Sequence, residues 1–373
     1  MQIRVTGLGL TYGTTQVIDD LDVTVADGES LVLLGESGCG KTSTMRCVAG
    51  LEEPGTGRIE IGDDVVFDAA QNIDVPPHRR NVGMVFQSYA IWPHRTVTEN
   101  VAFSLRMKKV ERSVIRDRVA SALRLVGLEH LGDRGASMLS GGQMQRVALA
   151  RSIAMEPSVL LLDEPLSNLD ARLRERLRIE LRELQLQLGL TTVYVTHDQT
   201  EAFALADRIA LMQAGRIVRF DTPEGIYASP TTTSVARFLG VANLFSCRVQ
   251  DRVDGPVVVL DGHDLEIPVK ESPGGAGPLA VGIRAEDVTV SPESSGGQGW
   301  PGRLTVASFH GATVRYRVAV TGGPVVDATA RNDTASRLAV GDPVRVALSP
   351  YSAQVLLDDM RPSHDLAPAG AAS

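Results

Sequence analysis

The first part of the chain, up to about residue 235, alternates short apolar runs with amphipathic segments. Several runs of strand length precede residue 100, and two of them, separated by Gly62-Asp63, predict a β-hairpin. From Val97 to about Gln187 the pattern predicts helices, since leucines recur at helical spacing between Arg and Glu. Two apolar strands interrupt this helical region at residues 159–162 and 192–196. Strands that alternate with helices favour a parallel sheet covered by helices.

The pattern changes near Gly240. Beyond it, Val-rich runs of strand length are separated by Gly, Pro, Asp and Ser, which is typical of a small all-β domain. The clearest of these runs cover residues 257–260, 279–283, 313–320 and 344–348. The sequence therefore predicts an α/β domain over residues 1–238, a β-rich domain over 239–360 and a flexible tail over 361–373.

Composition narrows the class of protein. The 373 residues carry a net charge of −8 and only 4% are aromatic, which argues against a nucleic-acid-binding surface. No apolar run is long enough for a membrane span, and the N-terminus lacks the pattern of a secretory signal. The three cysteines show no metal-ligand spacing, so we expect a protein of the reducing cytoplasm.

The strongest chemical signal is a match to the phosphate-loop pattern G-x-x-x-x-G-K-[ST]. It is formed by Gly35, Glu36, Ser37, Gly38, Cys39, Gly40, Lys41 and Thr42. An apolar strand precedes the match and a helical run follows it, as the pattern requires. Backbone N–H groups and the helix N-terminus would surround the phosphates, Lys41 would reach the β- and γ-phosphates, and the Thr42 hydroxyl would ligate Mg²⁺. The segment predicts binding of a nucleoside triphosphate.

A second signal is the apolar run 159–162, which ends in Asp163 and Glu164. A buried strand delivers such acids at its carboxyl end, where ligands bind in open α/β sheets. We expect Asp163 to hold the Mg²⁺ and Glu164 to deprotonate the attacking water.

A third signal precedes the helical run of residues 143–154. Leu139 is followed by Ser140, Gly141, Gly142 and Gln143, which together predict a second anion cradle at a helix N-terminus. One chain does not need two cradles for one triphosphate, but two chains face to face could share them. With this LSGGQ segment the sequence resembles the ATP-binding subunits of ABC transporters, in which LSGGQ is the signature motif.

The resemblance covers roughly residues 3–235 and implies an α/β phosphate-loop NTPase with a RecA-like core, an antiparallel β subdomain and a helical subdomain. It implies an ATPase that uses ATP and Mg²⁺, and it assigns further residues to the site. Tyr12 would stack on adenine, Ser43 would lie near the α-phosphate and Gln87 would touch Mg²⁺ and water. Asp170 would lie across a dimer interface, and His197 would contact the γ-phosphate beside the catalytic Glu164.

The C-terminal part narrows the resemblance to importer ATPases with an OB-like TOBE domain, since segments such as residues 281–288 (VGIRAEDV) match them. This implies a head-to-tail homodimer that meets integral membrane permease subunits near Gln87–His94 and, through them, a solute-binding protein. The chain would then lie at the inner face of the cell membrane. Tyr89 and Trp92 are expected to be partly exposed for this contact. Residues 238–243 favour polyamine, ferric iron or related ion uptake.

Three alternatives remain open at this point. The first is a maltose-type sugar importer, and the second is a nucleic-acid-handling ABC ATPase. The second would need a long coiled coil or a zinc module between Lys41 and Ser140, and the chain has neither. The third is a ligand-sensing regulatory protein with a vestigial ATPase, against which Glu164 and His197 argue. The sequence does not identify the solute.

Overall fold

The computed structural model describes residues 1–253, 255–270, 277–296, 298–332, 338–349 and 351–360. The predicted tail, 361–373, lies outside these residues. Among them, no helix is both long and apolar enough to cross a membrane. The chain forms two compact units, Met1–Ile226 and the residues from Tyr227 onward.

The first unit contains two sheets and the helices that pack on them. Its strands are β1 (Ile3–Tyr12), β2 (Thr15–Val25), β3 (Ser30–Gly35), β4 (Thr56–Ile61), β5 (Asp64–Asp68), β6 (Ile73–Asp74), β7 (Val82–Val85), β8 (Val159–Asp163), β9 (Thr191–Thr196), β10 (Arg208–Gln213) and β11 (Arg216–Asp221). Its helices are α1 (Lys41–Ala49), α2 (Val97–Met107), α3 (Arg112–Leu125), α4 (Gly141–Ile153), α5 (Ala171–Leu188) and α6 (Gln199–Leu205). The strand–helix alternation agrees with the sequence pattern.

The central sheet has the order β11-β10-β3-β9-β8-β7, and all its pairs are parallel except β10–β11. Every residue of β3, β8 and β9 is buried, which explains why these strands are continuous apolar or Thr-rich runs without polar alternation. Because β3, β9 and β8 are parallel neighbours, their carboxyl ends meet at one edge of the sheet.

The second sheet is antiparallel, with the order β2-β1-β4-β5-β6, and it contains the predicted hairpin as β4 and β5. Apolar side chains of this sheet, α1 and the central strands form one core, in which Leu8, Ile18 and Met45 are fully buried. Burial of each such side chain contributes about 1.5–3 kcal/mol to folding. This core fixes α1 against the strand that precedes it.

The second unit is β-rich, as predicted. It begins within α7 (Pro223–Ala228) and continues with α8 (Thr233–Phe238). Its strands are β12 (Asn243–Arg252), β13 (Gly255–Leu260), β14 (Glu266–Pro268), β15 (Leu279–Ile283), β16 (Val288–Pro292), β17 (Trp300–Phe309), β18 (Thr313–Val320), β19 (Val325–Arg331), β20 (Pro343–Leu348) and β21 (Gln354–Leu357). They form two antiparallel sheets, β14-β13-β12-β15-β21 and β16-β20-β17-β18-β19, around one apolar core.

The compact units divide earlier than the predicted boundary between residues 238 and 239. The helical segment α8 precedes the Val-rich strands in sequence, yet it packs with them: Ala236, Val241 and Leu356 form a common apolar cluster. The Thr233 hydroxyl also donates to the carboxylates of Asp358 and Asp359, at 3.1 and 2.8 Å. The change of composition near Gly240 therefore marks where strands begin, whereas the packing unit begins before it.

Asn243 joins the two sheets of this unit. Its side chain is almost fully buried, donates to the carbonyls of Ile283 and Asp327 at 3.1 and 2.9 Å, and accepts from the Asp327 N–H at 2.7 Å. Since Asn243 begins β12 and Asp327 lies in β19, one amide satisfies backbone groups of both sheets.

Candidate functional site

The segment that matches the phosphate loop links the end of β3 to the start of α1. Glu36, Ser37 and Gly38 are exposed, whereas Cys39 and Gly40 are buried. Gly40 caps the helix with φ +102°, and a Cβ there would lie 2.6 Å from the carbonyl oxygen of Val17. Only glycine fits this position, so the loop keeps its backbone close to the helix N-terminus. The exposed N–H groups of a helix N-terminus suit an anion.

Lys41 is buried and its ammonium lies inside the loop. The Nζ atom donates to the carbonyls of Gly35 and Glu36, at 2.8 and 2.7 Å, and lies 3.7 Å from the Cys39 Sγ. Ser43, two residues further on, is half-buried on the first turn of α1. The arrangement places one positive charge where the backbone of residues 35–40 curves around it.

Thr42 and Asp163 meet although they are far apart in sequence. The Thr42 hydroxyl donates to the Asp163 carboxylate at 3.1 Å. Burial raises the pKa of Asp163, while the hydrogen bond from Thr42 acts in the opposite direction. A hydroxyl and a buried carboxylate beside a phosphate-binding helix N-terminus form the hard oxygen donor set that Mg²⁺ prefers. The residues present therefore fit a magnesium ion shared with phosphate oxygens.

Glu164 follows β8 directly and is the centre of a polar group. Its Oε1 lies 3.1 Å from the His197 Nδ1, and its Oε2 accepts from the Gln87 Nε2 at 3.1 Å. The backbone of Glu164 has φ +43°, and its N–H donates to the Val195 carbonyl on β9. This uncommon conformation turns the carboxylate toward the residues that follow β7 and β9.

The segment between Glu164 and α5 supports the same group. The Ser167 Oγ donates to the Glu164 carbonyl at 2.9 Å, and the Asn168 amide donates to the Gln87 carbonyl at 2.9 Å. Asp170 is exposed and caps α5 by accepting from the Leu173 N–H at 3.0 Å. The structure thus gives Asp170 a capping bond in its own chain, and its expected position across a dimer interface remains a prediction.

The residues after Gln87 differ from expectation. Tyr89 is only 5% exposed, so the prediction that it is partly exposed was wrong, whereas Trp92 is half-buried as expected. Tyr89 and Ala90 both have positive φ, +62° and +48°, which turns the Tyr89 ring inward. The Arg151 guanidinium of α4 donates to their two carbonyls, at 2.8 and 2.5 Å, and lies over the Trp92 ring.

The signature residues lie at the start of α4. Ser140 and Gln143 form a capping box, in which each side chain accepts from the other residue's backbone N–H. The first turn packs closely on α5: a Cβ at Gly142 would lie 2.9 Å from the Leu173 side chain, and one at Gly141 would lie 3.2 Å from Leu169. Ser140 is exposed, and its capping bonds are made with Gln143 in the same helix turn.

Tyr12 lies at the exposed end of β1. Its hydroxyl donates to the Glu52 carboxylate, and this hydrogen bond raises the pKa of Tyr12. An exposed ring at this position suits stacking on a base, and that role remains a prediction.

Sequence reasoning missed several residues that support these groups. Arg151 bonds two backbone carbonyls of the site, but a single Arg in a helical run is normally a solvated charge. Its only available signal is that it lies in a largely apolar stretch, residues 147–154. Ser167 and Asn168 also bond backbone carbonyls of the site; they lie in the segment 167–170 that matches the family, but sequence reasoning gave a role there only to Asp170.

Comparisons with known proteins agree with the geometry. The family described as "ABC transporter" matches residues 18–167, and the family described as "TOBE domain" matches residues 281–356. An Fe(3+) ions import ATP-binding protein FbpC of Agrobacterium fabrum is 43% identical over 309 residues, which cover 83% of this chain and 85% of that protein. A trehalose/maltose import ATP-binding protein MalK of Thermococcus litoralis is 50% identical over 238 residues, 64% of each chain.

Solved structures support the fold of the first unit. One is cbiO1 from Clostridium perfringens, part of the ABC transporter complex cbiONQ, with 29% identity and a TM-score of 0.55 over 64% of this chain and 94% of that one. Another is the dimeric ATP-binding cassette MJ0796 bound to ADP and Pi, with 27% identity and a TM-score of 0.52 over 59% of this chain and 98% of that one.

The predicted fold class is confirmed: an ABC-type α/β ATPase unit is followed by a β-rich TOBE region. The activity that this family carries is ATP hydrolysis. An identity of 43% over 83% of the chain to an import ATP-binding protein shows which family the chain belongs to. The chain belongs to the ATP-binding subunits of ABC importers that carry a TOBE domain.

Proposed function

We propose that this ATPase hydrolyses ATP with Glu164 as the general base and His197 as the contact to the γ-phosphate. The observation that carries the proposal is the Glu164 carboxylate, which lies 3.1 Å from both the Gln87 amide and the His197 ring. These three side chains follow β7, β8 and β9, next to the strand that leads into the phosphate loop. A base must lie within hydrogen-bond reach of the water it activates, and ligands of open α/β sheets bind at this edge, where the phosphates would lie.

The phosphate loop would bind the triphosphate through Lys41 and the N–H groups of residues 36–42. Ser43 would lie near the α-phosphate and Tyr12 would stack on adenine. Thr42, Asp163 and Gln87 would hold Mg²⁺, which when bound neutralises charge on the phosphate oxygens. The Gln87 amide would orient the water, Glu164 would accept its proton, and the His197 ring would hold the γ-phosphate in line with the attack.

The signature residues support a site shared between two copies of the chain. Ser140 is an exposed cap in front of the helix that begins at Gly141, and the side chains of Ser140 and Gln143 each accept from the other residue's backbone N–H. In a head-to-tail homodimer they would close over the ATP of the partner copy, and Asp170 would lie across the interface. ATP would then hold the two copies together, and hydrolysis would release them.

The segment Gln87–His94 and the adjoining groove would receive the permease. Trp92 stacks on Phe103 of α2 with ring centroids 4.2 Å apart, so this segment is fixed to the helical subdomain. The helices α2 and α3 line a groove of about 1130 Å³. Its lining includes apolar residues such as Val119 and Leu123 and arginines such as Arg106. A partner helix with apolar and acidic side chains would fit it, which would keep the chain at the inner face of the membrane.

Ferric iron or a related ion is the favoured solute. The similarity to the FbpC proteins extends over 83% of the chain and therefore into the second unit, whereas the similarity to MalK covers 64%. A sugar importer is the second candidate, because the identity to MalK is higher where it applies. Disruption of the gene should reduce uptake of ferric iron and leave maltose uptake unchanged, and the reverse result would favour the sugar importer.

The experiment that tests the site is Glu164→Gln. The variant should bind ATP as tightly as the native chain, since the amide keeps the hydrogen bonds, and it should lose turnover because the base is gone. With ATP it should elute as a dimer in gel filtration. Glu183→Gln, at an exposed position of α5, is the matched control and should keep full activity. ATP hydrolysis by Glu164→Gln near the native rate would show that another residue is the base.

A further inference from the structure

Arg174 lies on the first turn of α5 and contacts two loops of the candidate site. Its Nη2 donates to the Leu169 carbonyl at 3.1 Å and to the Ser167 carbonyl at 3.5 Å, both in the segment that follows Glu164. Its Nη1 lies 3.7 Å from the Asp198 carboxylate, and its Nε lies 3.9 Å from the Glu201 carboxylate. One guanidinium therefore joins the segment after Glu164 to the segment after His197.

Glu201 is built firmly into the second segment. It is almost fully buried, and one of its oxygens accepts from the Tyr194 hydroxyl at 3.1 Å and from the Thr196 hydroxyl at 2.7 Å. The Thr196 hydroxyl also accepts from the Asp198 N–H at 3.0 Å, and Asp198 caps α6. The residues on both sides of His197 are thus fixed to the carboxylate that faces Arg174.

Arg174 leaves one of its N–H donors without a hydrogen bond. Its Nε is buried and has no hydrogen-bond partner in the described residues, because 3.9 Å is too long for a hydrogen bond to Glu201. An approach of about 1 Å between the two segments would bring this N–H into hydrogen-bond range and satisfy it. The guanidinium can therefore respond to a displacement of residues 167–170 by drawing residues 198–201 with it.

We propose that Arg174, with Glu201 as its anchor, is a positioning residue that sets the separation of Glu164 and His197. Neither side chain touches the reacting atoms; each acts through the backbone that carries a site residue. The proposal rests on the hydrolytic roles proposed above for Glu164 and His197. Within one chain, Arg174 would link the segment that would meet a partner copy to the histidine that would meet the γ-phosphate.

The test compares Arg174→Met with Arg182→Met. Arg182 lies two turns further along α5, pairs with Asp207, and is exposed to a similar degree, with side-chain exposure of 25% against 29% for Arg174. Both variants remove a partly buried guanidinium from the same helix, Arg174 with two long ion pairs and Arg182 with one short ion pair, and should lower the melting temperature by similar amounts. Arg174→Met should reduce kcat at least about tenfold, as expected when reacting groups are misplaced, and leave KM for ATP within about twofold. Arg182→Met should leave both constants within about twofold.

A second pair of variants separates positioning from structure. Glu201→Gln keeps the bonds from Tyr194 and Thr196 but weakens the attraction to Arg174, so kcat should fall with KM unchanged. The double variant Arg174→Met/Glu201→Gln should lose no more kcat than Arg174→Met alone, since both act through one contact. Arg174→Lys should recover part of the rate because the charge remains.

Three outcomes overturn the proposal: a kcat loss that follows the melting temperature equally in Arg174→Met and Arg182→Met, a rise in KM with kcat unchanged, or additive losses in the double variant. Glu164→Gln is measured in the same assay. If that variant hydrolyses ATP, the proposed hydrolytic roles fail whatever Arg174→Met does. If it is inactive while Arg174→Met is fully active, only the positioning role fails.

Discussion

Arg151 fixes the shape of the segment that follows Gln87, and Arg151→Met measures how much that segment depends on it. The guanidinium is 7% exposed and donates to the carbonyls of Tyr89 and Ala90, two residues with positive φ. Methionine keeps most of the apolar stem beside Trp92 but removes both donors. The carbonyls would then lose their partners, and the strained backbone would relax toward negative φ.

The magnitude follows from two opposing terms. Each hydrogen bond from a charged donor contributes about 1.5–3 kcal/mol, so two of them give about 3–6 kcal/mol. Burial lowers the pKa of Arg151, and removal of a buried charge without a carboxylate partner among the described residues returns several kcal/mol of desolvation. We expect a net loss of about 2 kcal/mol, or about 4–8 °C in the melting temperature of a unit of this length.

Calorimetry and amide hydrogen exchange test this expectation. The control is Arg118→Met, which removes a more exposed pair with Glu156 and should cost at most about 1 kcal/mol. Exchange should accelerate in residues 87–94 of Arg151→Met and should stay at the native rate in the strands of the central sheet. If Arg151→Met melts within about 1 °C of the native chain and residues 87–94 exchange at the native rate, then packing alone holds the segment and the reasoning is wrong.

Two further predictions concern buried polar groups. Burial raises the pKa of Glu201, so the folded protein takes up this proton at a higher pH than the unfolded chain. The contribution of Glu201 to stability should therefore be greater near pH 4.5, its ordinary pKa, than at neutral pH, and the difference between the native chain and Glu201→Gln in urea unfolding isolates this contribution. An unchanged difference at the two pH values would contradict it. Asn243→Leu should destabilise the second unit by about 2–4 kcal/mol, because three buried backbone groups of Ile283 and Asp327 lose their partner. Calorimetry would refute this by giving a native melting transition for that unit.

The sequence was most informative where ionisable side chains stand at the carboxyl end of a buried strand. Asp163 ends the buried strand β8, Glu164 and His197 directly follow β8 and β9, and the parallel order of β3, β9 and β8 brings all three to the sheet edge where β3 leads into the phosphate-loop segment. Their pattern could be read without coordinates because a strand that is buried on both faces must be apolar and ends where polar residues begin. The resemblance of these segments to the ATP-binding subunits of ABC transporters identified the same residues independently.

The supporting residues could not be predicted, for two reasons. Arg151 and Arg174 bond backbone carbonyls, which every residue has. The side-chain types at positions 89 and 169 therefore do not indicate that an arginine bonds there. Tyr89 was placed wrongly because its burial follows from positive φ at a non-glycine residue, which composition does not reveal. Asn243 lies in the segment that suggested a transporter branch, yet its contacts are those of a structural amide between two sheets.

Because the Lys41 ammonium is buried, the free-energy cost of its dehydration belongs to folding rather than to ligand binding. Because Lys41 is already shielded from water by the carbonyls of Gly35 and Glu36, its dehydration is completed when the chain folds. In the proposed function, a phosphate that entered the loop would meet a cation that is already dehydrated, and the Lys41 ammonium would exchange carbonyl acceptors for charged ones. The free energy needed to dehydrate this ammonium would then belong to folding, and ligand binding would not have to supply it again.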